Sequence, residues 1–148
     1  LDDFGLLPAL RWYADEVRGR LGLNVTVSSR GEEADLPMDV RTVLFRVVQE
    51  SLTNVIRHAG ADKAEVLVVF EKEEVRIRVE DAGCGFNVDD TMREGGHPCW
   101  GLLGMIERAA LIGGECRISS LPGVGTIVEV VAPLKERNDG NDPSAVGG

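Results

Sequence analysis

Hydrophobic residues recur along this chain with two periods, and the switches between them divide it into elements. Leu7, Leu10, Tyr13, Ala14 and Val17 follow helical spacing behind a short lead, Leu-Asp-Asp-Phe-Gly. Leu23 to Ser29 is a short β-branched run, followed by a polar stretch that closes on Asp35-Leu36-Pro37. That tripeptide predicts a helix start, with an acid to cap and an early proline. The clearest helix runs from Met38 to Ala59, where Val40, Val43, Leu44, Val47, Val48, Leu52, Val55 and Ile56 repeat at i, i+3, i+4 and i+7. Lys63–Glu71 and Glu74–Asp81 predict a hairpin of two strands. Ala82–Trp100 is Gly-rich and aperiodic, and a loop of that length inside a domain is usually functional or mobile. Helical spacing returns from Gly101 to Ile112 and stops at Gly113-Gly114. Glu115–Leu121 and Thr126–Pro133 predict a second hairpin around Pro122–Gly125. No internal repeat is evident. Helix, strand, helix, hairpin, loop, helix, hairpin is the order of an α/β two-layer sandwich, a sheet covered on one face by helices.

Composition narrows the partners. A chain of 148 residues makes one domain, and 43% hydrophobic with 28% charged residues is ordinary for a globular one. The polar, aperiodic residues 135–148 are expected to be a disordered tail behind a domain spanning 1–134. The net charge of −9 argues against nucleic acid and anionic membrane as partners, since both select a basic stripe. A phosphate-bearing ligand would have to be met locally, by backbone N–H groups, a few cations or a metal. No apolar run approaches the roughly 20 residues of a membrane span, and no basic-then-apolar leader opens the sequence. The expectation is a cytoplasmic fragment of a membrane-anchored or cytosolic protein, with no direct membrane contact of its own. Cys84, Cys99 and Cys116 are an odd, scattered set that suggests a reducing compartment. Cys84, His97 and Cys99 are a conceivable zinc set, but it lacks a fourth ligand and a CxxC pair.

Four constellations carry candidate chemistry. On the long helix Glu50, Asn54 and Arg57 lie within roughly 60° of arc beside the apolar stripe, with His58 next to them. An acid, an amide oxygen and two cations in that order suit a proton, a metal and phosphates; the same spacing also suits a solvated helix flank. In the strand Glu74–Asp81, Val75, Ile77 and Val79 alternate with Arg76, Arg78 and Glu80, so Asp81 continues the buried phase. A carboxylate aimed inward needs donors, and an exocyclic amine such as that of adenine is one. Gly83 and Gly85 then clear room for a flat ligand; alternatively, Asp81 caps its own turn. Gly101-Leu-Leu-Gly104-Met105 opens a helix, either as a phosphate-binding N-terminus or as close-packed small residues. Pro122-Gly-Val-Gly125-Thr126 is a hairpin turn, and Thr126 gains meaning only if its strand lies beside Asp81.

Together and in order, these elements resemble the GHKL ATPase superfamily of gyrase, heat-shock chaperone, histidine kinase and MutL. The closest likeness is to the catalytic domain of sensor histidine kinases, in the nitrate-sensor and desaturase-regulator subfamily. Glu50-Ser-Leu-Thr-Asn54-Val-Ile-Arg57-His58-Ala resembles the N box, and Asp81-Ala-Gly83-Cys-Gly85-Phe86 the first glycine box. Gly101-Leu-Leu-Gly104-Met105-Ile-Glu107-Arg108, with Leu111-Ile-Gly113-Gly114, resembles the second, and Pro122–Thr126 the last. The resemblance implies a Bergerat fold, a mixed but mostly antiparallel sheet with about three helices on one face. It implies ATP and Mg²⁺ as cofactors, and transfer of the γ-phosphoryl to a histidine of a dimerisation domain for relay to a response regulator. Residues 1–5 would end the linker from that domain. Asn54 would hold Mg²⁺ through its amide oxygen, and Glu50 would orient a water or act as base. Arg57 and His58 would face phosphates, and Asp81 would accept from the adenine amino group, with Thr126 supporting it. Gly83, Gly85, Phe86, Gly101, Leu102, Leu103, Gly104 and Met105 would complete the ATP site, under a lid formed by residues 89–99.

Two departures qualify the likeness. The subfamily's glycine two residues before Gly101 is Cys99 here, followed by Trp100. A phosphoacceptor helix with histidine beside an acid is not found in these residues, since His58 belongs to the N box and His97 to the lid-like loop. An anti-sigma-factor-type serine kinase and a non-catalytic nucleotide-binding interaction module are the competing readings.

Overall fold

In the computed structural model, which describes residues 5–88 and 101–134, three helices lie on one face of a five-stranded sheet. In chain order these are α1 (Leu6–Leu21), β1 (Asn24–Arg30), α2 (Met38–Asn54) with a π-helical continuation (Val55–Ala59), β2 (Lys63–Phe70), β3 (Glu74–Asp81), α3 (Leu102–Leu111), β4 (Glu115–Leu121) and β5 (Gly125–Pro133). The strand order is β1-β2-β3-β5-β4. Only β1 and β2 pair in parallel, so the sheet is mixed and mostly antiparallel, as expected.

Period-two patterning decides which way the sheet faces. Val75, Ile77, Val79 and Asp81 of β3 are buried, as are Ala64, Val66, Val68 and Phe70 of β2 and Val128, Val130 and Ala132 of β5. The alternate positions of β3 carry charge to the outer face, where Arg76 pairs with Glu71, Glu74 and Glu129. Helix α2 contacts both α1 and α3 and lies over β3 and β5, while α1 lies on β1 and α3 on β4. Its buried stripe is Val40, Leu44, Val47, Val48 and Leu52. Ser51 lies in the same stripe; its hydroxyl donates to the Val47 carbonyl at 2.7 Å and lies 3.6 Å from Met105 Sδ. A small side chain there lets α3 come close. Cys116 is buried on β4, and desolvation pushes its thiol up to about 11, so it is a packing group.

Two local expectations change. The predicted capping acid Asp35 is exposed, and no side chain caps α2, whose N-cap is Pro37. The Asp39 carboxylate instead accepts the Val40 N–H at 2.8 Å in the first turn. More consequential is the end of the helix expected to run evenly to Ala59, which widens into a π turn after Asn54. Because such a turn advances each residue by less than the 100° of an α-helix, the face presented by Arg57 rotates away from that of Glu50 and Asn54. The carbonyls at its end are taken up by the loop after β3. Ala59 O accepts the Cys84 N–H at 2.8 Å, and His58 O accepts the Cys84 thiol at 3.1 Å. The loop can approach this closely because residue 83 is glycine: a Cβ there would stand 2.5 Å from the Ala59 oxygen and 2.7 Å from its Cβ.

Leu44 is fully buried and Leu111 is 81% exposed. Leu44→Ala is therefore expected to cost about 2–5 kcal/mol in denaturant unfolding, and Leu111→Ala no more than about 0.5 kcal/mol.

Candidate functional site

One row of paired residues crosses the sheet at the end where β3 finishes. Ala64 pairs with Asp81, Asp81 with Thr126, and Thr126 with Ser120. Directly opposed residues share a face, so this row presents three adjacent polar side chains towards the helices. Asp81 and Thr126 open into a narrow cavity. Its floor continues with Val79 and Val128, its wall is Asn54, Val55 and Ala59 from the end of α2, and Gly85, Phe86 and Leu102 border it. Apolar surfaces flanking a few convergent polar groups suit a flat, heteroatom-bearing ligand.

Asp81 is 9% exposed, and its Oδ1 accepts the Gly83 N–H at 2.8 Å. Burial raises its pKa above the ordinary 3.8; the Gly83 hydrogen bond opposes that shift and the charge of Glu80 adds to it. The turn-capping reading of Asp81 is what the structure shows, and it leaves room for a ligand. One oxygen caps the turn, and a carboxylate has a second with which to address the cavity.

Asn54 is 8% exposed and its amide oxygen is buried at the cavity wall. Among the described residues no three His, Cys, Asp or Glu side chains gather to hold a metal. Mg²⁺ often takes one or two protein oxygens together with phosphates and water. The Asn54 amide fits that role.

Glu50 is half-buried one turn earlier and reaches the start of α3. A Cβ built on Gly101, whose φ is +63°, would lie 2.7–2.9 Å from Glu50 Cδ, Oε2 and Cγ, so this glycine seats the carboxylate. Tyr13 of α1 lies on the other side. Desolvation raises its pKa, its hydrogen bond with Thr53 lowers it, and the charge of Glu50 raises it again. Tyr13 also meets Phe45 edge-on, with ring centroids 5.7 Å apart. Nothing in the spacing of α1 pointed to this contact with the Glu50 region.

The remaining expected residues are spread more widely. Arg57 is exposed and His58 half-buried, and neither lines the cavity. Leu103 is 51% exposed, whereas Met105 is fully buried in the core beneath Ser51. Gly104 has room for a methyl group, with the nearest atom, on Arg108, 3.9 Å from a Cβ. The expected lid, residues 89–99, lies outside the described residues together with His97 and Trp100, and so does the expected tail, 135–148. Sequence reasoning missed Val55, Ala59, Val79 and Val128 as lining residues, and Ser120 as the end of the polar row. For Val79 the signal existed, since it precedes Asp81 in the buried phase.

Residues 39–136 match the family described as histidine kinase-, DNA gyrase B-, and HSP90-like ATPase. The chain belongs to this family. Its ATPase domain is similar to sensor histidine kinases. It is 37% identical over 111 residues to the sensor protein VraS of Staphylococcus haemolyticus, spanning 75% of this chain and 31% of that protein. With the histidine-protein kinase/phosphatase DegS of Bacillus subtilis it shares 33% over 137 residues, 90% of this chain and 35% of DegS. With the oxygen sensor histidine kinase NreB of Staphylococcus carnosus it shares 34% over 136 residues, 92% and 38% respectively. The chain thus spans about a third of the length of these relatives. The histidine kinase domain of a blue-light activated kinase from Erythrobacter litoralis has the same fold, with a TM-score of 0.69 at 24% identity over 90% of this chain and 67% of that one. No helix among the described residues of the ATPase domain is long and apolar enough to cross a membrane.

A raised folded-state pKa means that the fold favours neutral Asp81. Its contribution to stability is present below the ordinary value and is lost as pH rises through the raised one. Asp81→Asn is expected to raise the thermal unfolding midpoint of the ligand-free domain at pH 7, and the gain should vanish near pH 3.8 and below. Calorimetric scans across that range check it.

Proposed function

We propose that this chain is the ATP-binding catalytic domain of a sensor histidine kinase. In this reading it binds Mg-ATP and donates the γ-phosphoryl to a histidine on a dimerisation domain, for relay to a response regulator. The observation that carries the nucleotide assignment is the placement of Asp81 and Thr126 as direct cross-strand partners on the cavity floor, with the Asn54 amide on the wall. The printed names of VraS, DegS and NreB support the kinase reading.

The residues divide the work by chemistry. Asp81 offers a lone pair to the adenine amino group, while Val79, Val128 and Val55 take the faces of the base. Asn54 offers its amide oxygen to Mg²⁺. When bound, the metal supplies charge neutralisation at the phosphates. Glu50, held against Gly101 at the start of α3, stands near enough to that helix to accept a proton or orient a water. Leu102, at the start of α3, borders the cavity, and partial positive charge at a helix start suits anionic oxygens. Leu103, Gly104 and Met105 act on this reading through the helix backbone and packing. Arg57 and His58 do not line the cavity, and on this reading they would meet phosphates only beyond it. Catalysis of this kind is mostly positioning, so the nucleophile must be carried to the site by another domain.

Asp81→Asn should weaken Mg-ATP at least tenfold in calorimetric titration while leaving Mg-tripolyphosphate within about twofold, since one hydrogen bond to a charged group contributes about 1.5–3 kcal/mol. Equal losses for both ligands would remove adenine from Asp81. Asn54→Ala should flatten the dependence of ATP affinity on Mg²⁺; an unaltered metal dependence would take Asn54 out of the metal site.

A further inference from the structure

The polar row does not end at Thr126. Ser120 Oγ lies 2.7 Å from Thr126 Oγ1, 3.1 Å from the Gly125 carbonyl oxygen and 2.9 Å from the Phe86 nitrogen. Counting protons fixes the direction of each bond. A serine hydroxyl has one proton and two lone pairs. The Phe86 N–H occupies one lone pair. The single proton can go to Gly125 O or to Thr126 Oγ1, not to both. A backbone carbonyl can only accept, so all three contacts are made together only when Ser120 donates to Gly125 and Thr126 donates to Ser120. Thr126 has then spent its only proton, and what it shows the cavity is lone pairs alone.

We infer that Ser120 is a positioning residue for base specificity: by accepting the Thr126 proton it keeps Thr126 an acceptor, so that Thr126 and Asp81 together form an acceptor-only edge that admits a 6-amino purine and rejects a 6-oxo purine. The inference rests on the reading of the cavity as an adenine site. An amino group brings two protons to such an edge. A 6-oxo group brings lone pairs against lone pairs; its neighbouring N1–H can satisfy one of the two acceptors, so the other and the oxo oxygen are left unpaired, the kind of mismatch that discriminates between ligands. Without Ser120, the Thr126 hydroxyl is free to rotate and donate into the cavity, which suits the oxo group. Ser120 also links three segments that close this end of the site. These are its own β4, the loop after β3 that carries Phe86, and the start of β5, which carries Gly125 and Thr126.

The test is calorimetric titration of the full 148-residue chain with Mg-ATP and with Mg-inosine triphosphate, which carries the 6-oxo group without an added 2-amino group. The wild-type protein should prefer ATP at least tenfold. Ser120→Ala and Ser120→Cys, the latter keeping the size of serine with a poor acceptor, should each cut that preference at least fivefold. Ser120→Thr, which retains the hydroxyl, should restore it. With Thr126→Val in place, Ser120→Cys should leave the preference unaltered, because the hydroxyl it controls is gone. If both ligands weaken equally in Ser120→Ala and Ser120→Cys, so that the preference stays at its wild-type value, Ser120 is merely structural and the inference is overturned. If the wild-type protein shows no preference at all, the adenine reading itself fails, and the inference with it. A wild-type preference that Asp81→Asn abolishes but neither Ser120 variant alters leaves the adenine reading intact and overturns only the role of Ser120.

Discussion

A carboxylate facing inward at the end of a central strand is the constraint from which the rest of this molecule follows. Asp81 occupies a position whose phase is otherwise filled by Val75, Ile77 and Val79, and its burial raises its pKa despite the Gly83 hydrogen bond. Nothing in the packing of the sheet needs a charge there. A hydrophobic residue in the same phase would stabilise the sheet more, so the group is maintained against stability, as functional sites often are. Its neighbours in the row, Thr126 and Ser120, are polar too, so the row sets polar groups at the edge of a hydrophobic core.

The surrounding elements hold that row at a fixed distance from α2. The π turn after Asn54 ends against the loop that follows Asp81, through two contacts of Cys84 and the absence of a side chain at Gly83. The strand end and the helix end are thereby tied together, and the cavity between them has walls on both sides. The Glu50 carboxylate sits on Gly101 at the other end of the site, where α3 begins. Tyr13, through Thr53, brings α1 to the same part of α2. A displacement of α1 would therefore be felt beside Glu50, whereas the Asp81 end is tied to the strands, the loop after β3 and the α2 terminus.

Much of this was legible because alternation and helical spacing report burial directly. The phase of β3 located Asp81, and the order of elements gave the layer arrangement. What the sequence lacked was any mark of phase change inside a helix. Val55 to Ala59 reads as a continuation of α2, whereas in the structure it widens against the Cys84 loop and Arg57 is exposed. Asp35 looked like a cap, yet the chain turns into the helix at Pro37 and leaves Asp35 in solvent. Ser120 was invisible for a different reason. A serine near a hairpin turn resembles any polar edge residue until the β4–β5 register sets it opposite Thr126. Met105, grouped with the site by its neighbours in sequence, belongs to the core because helical spacing from Leu102 turns it inward towards Ser51.

Nuclear Overhauser contacts between a bound, non-hydrolysable Mg-ATP analogue and the methyl groups of the domain test the central claim most directly. The adenine protons should show contacts to the Thr126 methyl and to Val79 and Val128, all around Asp81 on the helix-facing side of the sheet. Contacts instead to Leu67 or Val131 on the outer face, or no contacts at saturating ligand, would contradict the account.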